Sequence, residues 1–218
     1  MQDYETEDQQ IEALKKWWKE NSTSLFFGLA LGLGGIFGWQ YYNDYTTTRA
    51  QAASDLFNVV SQQVQAGEFT DINKLEQLTG EFADTPYAAL AALSAAAHYF
   101  DKGDSDAAIE QYRWVLANSS IEENTHLAAT RLATLYLSLG QLDEAESLLE
   151  GPHPDAFSAR YAELRGDLYV ARGDNRQARL AYDQAIRSMQ GVATPWLQLK
   201  RDYLGEVTDT GADNGGAG

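Results

Sequence analysis

The chain's only imidazoles are His98, His126 and His153, and imidazole is the side chain best suited to ligate a metal or move a proton near neutral pH. Metal sites on helices need ligands on one face, as in HExxH. The three histidines share no such spacing with one another, and His153 lies in a proline turn. Each is expected to be an ordinary solvated histidine. Paired carboxylates are the next chemistry to consider. Asp143 and Glu144, like Glu122 and Glu123, fall at turns and first helical turns, where negative charge favours the helix N-terminus without any acid–base role. There is no cysteine, so disulfides, thiolate metal sites, cysteine nucleophiles and an acylated N-terminal cysteine are all excluded. No GxSxG, HExxH or phosphate-binding loop occurs. These residues predict no enzyme, no metal and no cofactor.

The elements that would carry any other function begin at the N-terminus. Residues 25–42 read LFFGLALGLGGIFGWQYY, without a charge, and as a helix they span about 27 Å, close to a bilayer's hydrocarbon core. Trp17 and Trp18 precede the run and Trp39, Tyr41 and Tyr42 close it, placing amphipathic rings at two interfaces. Ala50-Gln51-Ala52 has the spacing of a signal cleavage site but lies too far beyond the apolar core, so the run reads as an uncleaved anchor. Lys15, Lys16 and Lys19 crowd its N-terminal flank, and the first basic residue beyond it is Arg49. The positive-inside rule therefore predicts a cytoplasmic N-terminus and an exported remainder. Gly28 and Gly32, and likewise Gly34 and Gly38, stand four apart, which predicts small-residue stripes where another helix could pack. Ile11, Leu14, Trp17 and Trp18 alternate with charge at helical spacing, as in a short amphipathic helix at the cytoplasmic interface.

Beyond Tyr42 the composition turns to Ala, Leu, Gln and Asp, with Thr46-Thr47-Thr48 the expected local linker. Helical periodicity is then broken at Lys102-Gly103-Asp104, Leu139-Gly140-Gln141 and Arg172-Gly173-Asp174. A glycine turn about every 34 residues is the mark of tetratricopeptide repeats. Five residues after each glycine stands Ala108, Ala145 or Ala178, small enough for the second helix to press on the first. Four before it stands Tyr99, Tyr136 or Tyr169, filling the gap between hairpins. Gly166 takes a first-helix position held elsewhere by Ala96 and Ala133, and Gly151-Pro152-His153-Pro154 must cut short the middle unit's second helix. A degenerate unit turns at Gln65-Ala66-Gly67 and places Ile72, Leu75, Leu78 and Phe82 on its second helix; its first helix could continue the anchor. Trp196, Leu197, Leu199 and Tyr203 are expected on a helix capping the last repeat. The fold class is thus all-α: one N-terminal transmembrane helix followed by a tetratricopeptide-like helical-hairpin solenoid. The expected boundaries are 1–23 cytoplasmic, 24–42 transmembrane, 43–204 periplasmic repeats and 205–218 a disordered tail.

Acidic residues number 32 against 16 basic, for a net charge of −16 and a pI of about 4.4. With no basic block, binding to DNA or RNA is excluded. The anchor splits this charge unevenly: 3 basic and 6 acidic residues precede it, 13 and 26 follow it. The excess belongs to the exported part, which it keeps soluble.

The run from Gln10 through Ile11-Glu12-Ala13-Leu14-Lys15-Lys16 to Trp17-Trp18, then Asn21, the Gly-rich anchor ending Gly38-Trp39-Gln40-Tyr41-Tyr42, and the repeats together resemble the YfgM-type ancillary SecYEG translocon subunits of Gram-negative bacteria. Phe100-Asp101-Lys102, Leu164-Arg165-Gly166-Asp167, Leu197-Gln198-Leu199-Lys200 and the stretch from Tyr87 to Leu93 extend the match. The resemblance implies a single-pass inner-membrane protein with a periplasmic repeat domain. As partners it implies the SecYEG translocon and a membrane-anchored periplasmic chaperone of the PpiD type. The tail after Leu204 departs from the family's compact ending.

In such arrays the first helices line a concave face, here Leu93, Ala97 and Phe100, then Thr130, Thr134 and Leu137, then Glu163, Asp167 and Val170. One end is apolar and the other acidic, which would suit a hydrophobic or basic polypeptide segment such as a chaperone partner or an emerging exported chain. Leu93, Phe100 and Leu137 could equally complete the core between hairpins. The Lys and Asn that clamp a peptide's C-terminal carboxylate in related domains are missing from these places. Two functions follow as expectations. In one, the repeats bind chaperones or exported chains beside the translocon and pass them to the periplasmic chaperone network. In the other, the cytoplasmic segment sequesters a response regulator in envelope stress signalling.

Overall fold

In the computed structural model, which describes residues 7–69, 71–189, 191–192 and 194–205, the apolar run lies within one uninterrupted helix, α1 (Glu7–Ala66). The linker expected at Thr46-Thr47-Thr48 is helical instead. No Gly or Pro interrupts residues 39–66, and the Thr46 hydroxyl donates to the Asn43 carbonyl at 3.0 Å, satisfying itself within the helix. The separate amphipathic helix likewise merges into α1, where Asn21 donates to the Trp17 carbonyl at 2.9 Å. Chain contacts divide the protein into two compact units, 1–52 and 53–218. In the first, α1 is the one helix among the described residues long and apolar enough to cross a membrane, and its apolar window is fully exposed. The expected tail at 205–218 and the first residues of the cytoplasmic segment lie outside the described residues, apart from Gly205.

The second unit is a succession of helical hairpins: the end of α1 with α2 (Ile72–Glu81), α3 (Pro86–Asp101) with α4 (Ser105–Asn118), α5 (Glu122–Ser138) with α6 (Leu142–Leu149), and α7 (Ser158–Ala171) with α8 (Asn175–Ser188). The helix α9 (Pro195–Tyr203) follows. No strand occurs among the described residues. Each hairpin turns on a glycine in the left-handed region, with φ of +71° at Gly67, +81° at Gly103, +72° at Gly140 and +79° at Gly173. The same two hydrogen bonds close each turn. Asp104 N–H donates to the Tyr99 carbonyl at 2.9 Å and Gly103 N–H to that of Phe100 at 3.0 Å, with equivalents at Gly140 and Gly173. A further pair at Gly67, including Glu68 N–H to the Gln63 carbonyl at 3.0 Å, shows that the degenerate first unit uses the same turn. Asp104 and Asp174 then cap the following helices by accepting from Ala107 and Gln177 N–H.

Small residues let the helices close on one another. Ala108, Ala145 and Ala178 are wholly buried, as are Ala96 and Ala133. Three apolar clusters form in sequence. Ala53 and Val60 of α1 pack with Leu75, Leu78, Ala88, Ala91 and Ala95. Leu132, Leu135, Leu149, Leu164 and Tyr136 build the centre, and Ala162, Ala178, Tyr182, Ala185 and Leu197 the C-terminal end. Ile72, by contrast, is exposed, and Phe82 follows the end of α2. The proline-bearing segment after Glu150 stops α6 at eight residues. Two arginines secure it: Arg165 of α7 donates twice to the Leu149 carbonyl, at 3.1 and 2.7 Å, and Arg172, just after α7, reaches Glu146 and Asp143 at 2.7 and 2.9 Å. Leu197 is the one residue of the terminal helix that is buried against the array. Trp196, Leu199 and Tyr203, expected to help, are exposed.

Candidate partner-binding groove

Of the nine positions expected on the concave face, Ala97, Phe100 and Thr134 come together around one hollow of about 340 Å³, which Asp101, Arg131 and Arg160 also line. Phe100 is 44% exposed there. Leu93 and Thr130 are buried in the hairpin core, and Leu137 packs half-buried against the same cluster. The alternatives left open by the sequence thus divide residue by residue. Leu93 completes the core, whereas Phe100, in the last turn of α3, opens onto the hollow.

The acidic end is differently organised from the open carboxylate patch the sequence suggested. Lys200 of α9 bridges Glu163 at 2.9 Å and Asp167 at 2.9 and 3.0 Å. Arg160 bonds Glu163 and the Thr134 hydroxyl, each at 2.9 Å, and Tyr182 donates its hydroxyl to Asp167 at 2.7 Å. The result is a chain of polar contacts from α5 through α7 to α8 and α9. Val170 lines a second hollow with Tyr182, Leu199, Lys200 and Tyr203. Neither Lys200 nor Arg160 was expected at the groove, although Arg160 stands one helical turn before Glu163 on α7.

Burial by itself would raise the Glu163 carboxyl, but the hydrogen bonds and charges of Lys200 and Arg160 together outweigh it and hold the group below its ordinary value. Lys200 mirrors this: burial lowers its ammonium, and Asp167 and Glu163 raise it further than burial lowers it. The Tyr182 phenol is raised by burial and then by its bond to Asp167. The Glu163 contribution to stability is complete above its unfolded value near 4.5 and is lost as pH falls through the lower folded value. The Lys200 contribution is complete below 10.5 and is lost as pH rises through the raised value. We expect the melting temperature of the detergent-solubilised protein to fall as pH drops below 4.5, and Lys200→Met to flatten that acid limb. An unchanged limb in Lys200→Met would show that other carboxylates set it.

The histidines are not simply solvated. His126 Nδ1 lies 2.9 Å from the Tyr161 hydroxyl, with Nε2 3.6 Å from Glu122, one turn earlier on α5. The His153 ring stacks on Tyr161 at 4.4 Å, and His98 meets Phe69 edge-on. They pack as aromatic side chains between hairpins. Among the described residues no three His, Asp or Glu converge as a metal site.

In the first unit Lys15, Lys16 and Lys19 are exposed on α1. Gly28, Gly32, Gly34 and Gly38 each have open space where a Cβ would stand, so none of the described residues occupies the small-residue stripes.

The hairpins and their glycine turns define a tetratricopeptide class of protein, and the family of the tetratricopeptide repeat-like domain matches residues 15–206. The chain is 36% identical to the ancillary SecYEG translocon subunit of Haemophilus influenzae, over 91% of this chain and 97% of that protein. It is 32% identical to the ancillary SecYEG translocon subunit of Escherichia coli K12, over 94% and 99%. The protein of the same name from Neisseria gonorrhoeae is also 32% identical, over 91% and 97%. No solved structure matches the chain. The chain belongs to the tetratricopeptide repeat-like family of ancillary SecYEG translocon subunits.

Proposed function

We propose that the protein is an accessory subunit of the SecYEG translocon in the bacterial inner membrane. Residues 24–42 of α1 anchor it there, with 1–23 cytoplasmic and the repeats of 43–204 in the periplasm. The match to the translocon subunits over more than nine-tenths of this chain carries the reading. It is supported by the lysines ahead of the span and none within it. The repeat groove around Ala97, Phe100 and Thr134 binds a membrane-anchored chaperone of the PpiD type or emerging exported polypeptides and passes them to the periplasmic chaperone network. The small-residue stripes at Gly28, Gly32, Gly34 and Gly38 are the surface on which α1 meets other membrane helices.

Site-specific photocrosslinkers placed at Phe100, Leu137 and Gly32 in growing cells test this. Phe100 and Leu137 are expected to capture a periplasmic chaperone or exported chains, and Gly32 a membrane component of the translocon. Recovery of none of these from any position would overturn the proposal.

A further inference from the structure

We propose that the hollow at Phe100 selects an extended polypeptide segment in which a carboxylate side chain neighbours an apolar one. This rests on the groove reading above and reverses the charge preference that the sequence suggested. The chain as a whole carries −16, yet this hollow is lined by two arginines, Arg131 from α5 and Arg160 from α7, against the single carboxylate of Asp101. The nearby acidic residues are already matched by cations of the array: Glu163 pairs with both Arg160 and Lys200 at 2.9 Å, and Asp167 with Lys200, which leaves Arg131 as the more open guanidinium of the hollow.

Arg131 is exposed, and its side chain is shared with the Tyr112 hydroxyl, which also lines the hollow. Arg160 is held in place by Glu163 and Thr134. A guanidinium carries five N–H donors in a fixed fork, so two such contacts leave donors for an incoming carboxylate. Phe100 offers an apolar face within the same hollow, with Ala97 leaving room beside it. The lining holds no Asn, Gln or Lys to register a chain terminus, so the recognised carboxylate is an Asp or Glu side chain of a passing segment.

Full-length protein in an uncharged detergent, titrated into fluorescently labelled short peptides and read by anisotropy, tests this. The peptides alternate Leu and Phe with Glu, Gln or Lys and are amidated at the C-terminus; one further Gln peptide carries a free C-terminal acid. The Glu peptide is expected to bind about tenfold more tightly than the amidated Gln peptide, with the Lys peptide weakest. Added salt should erode that difference. Arg131→Glu, at an exposed position and checked for native helicity by circular dichroism, should abolish or invert the preference. Equal binding of Glu and Gln peptides would overturn the inference, as would a free-acid Gln peptide that matches the Glu peptide. Phe100→Ser separates the two claims. If it weakens all peptides while charge makes no difference, the groove reading stands and the carboxylate preference falls. Binding of no peptide at all, or binding indifferent to Phe100→Ser, overturns both.

Discussion

Gly166→Ala is expected to destabilise the repeat unit, although alanine normally improves a helix interior by about 1 kcal/mol over glycine. A Cβ at this position would lie 2.4 Å from Cε1 and 2.5 Å from Cδ1 of Tyr182, well inside any permitted contact. The ring cannot swing clear cheaply, because Tyr182 is 2% exposed and its hydroxyl is committed to Asp167 at 2.7 Å. Overpacking of this kind costs about 1–3 kcal/mol, and a loss of 1 kcal/mol lowers the melting temperature of a domain this size by about 2–4 °C. Thermal unfolding followed by circular dichroism measures it. The cause is isolated by repeating the substitution in a Tyr182→Leu background, where it should become neutral or stabilising. A Gly166→Ala protein as stable as the parent would mean that α7 and α8 can separate without penalty.

Leu197→Ala should have the largest effect on the C-terminal end. Leu197 is the one buried residue of α9 and closes the cluster formed by Ala162, Ala178, Tyr182 and Ala185. Truncating a buried leucine costs about 2–5 kcal/mol. Lys200→Met should cost less, on the order of 1 kcal/mol, since the lysine is 37% exposed and solvent screens its bridges. The two are on one short helix, so undocking α9 through Leu197 also removes Lys200 from Glu163 and Asp167. The double variant should therefore be little worse than Leu197→Ala alone. Denaturant unfolding of the four proteins gives the coupling directly. Strict additivity would show that Lys200 stays in place without its helix docked.

The contrast between these sites explains what could be read from the chain. Gly103, Gly140, Gly173 and the alanines five residues after them answer to local demands, a left-handed turn and a close helix approach, that only small residues meet. Such demands recur with each unit, and repetition made them visible. The anchor was legible for a similar reason, because length and apolarity act within a single segment. The continuity of α1 was missed because three threonines look like a linker until one hydroxyl is seen to bond back to Asn43.

The groove was legible only in part. Ala97, Phe100 and Thr134 follow from helix phase within a unit. Arg160, Arg131 and Lys200 act across units, Lys200 over 37 residues to Glu163 and Arg160 over 26 to Thr134. No periodic pattern announces a long side chain that reaches a neighbour, so the sequence displayed the carboxylates and concealed the cations that neutralise them. Leu199 and Tyr203 erred the other way, since apolar type alone does not say which side of a nine-residue helix meets the array.

The short helix α6 depends on what comes after it. Its last carbonyl is held by Arg165 and its outer face by Arg172, both from the following hairpin, while its own sequence ends in glycine and prolines. Loss of the final hairpin would therefore loosen the middle one, so fraying at the C-terminal end should travel inward along the chain instead of stopping at the last repeat.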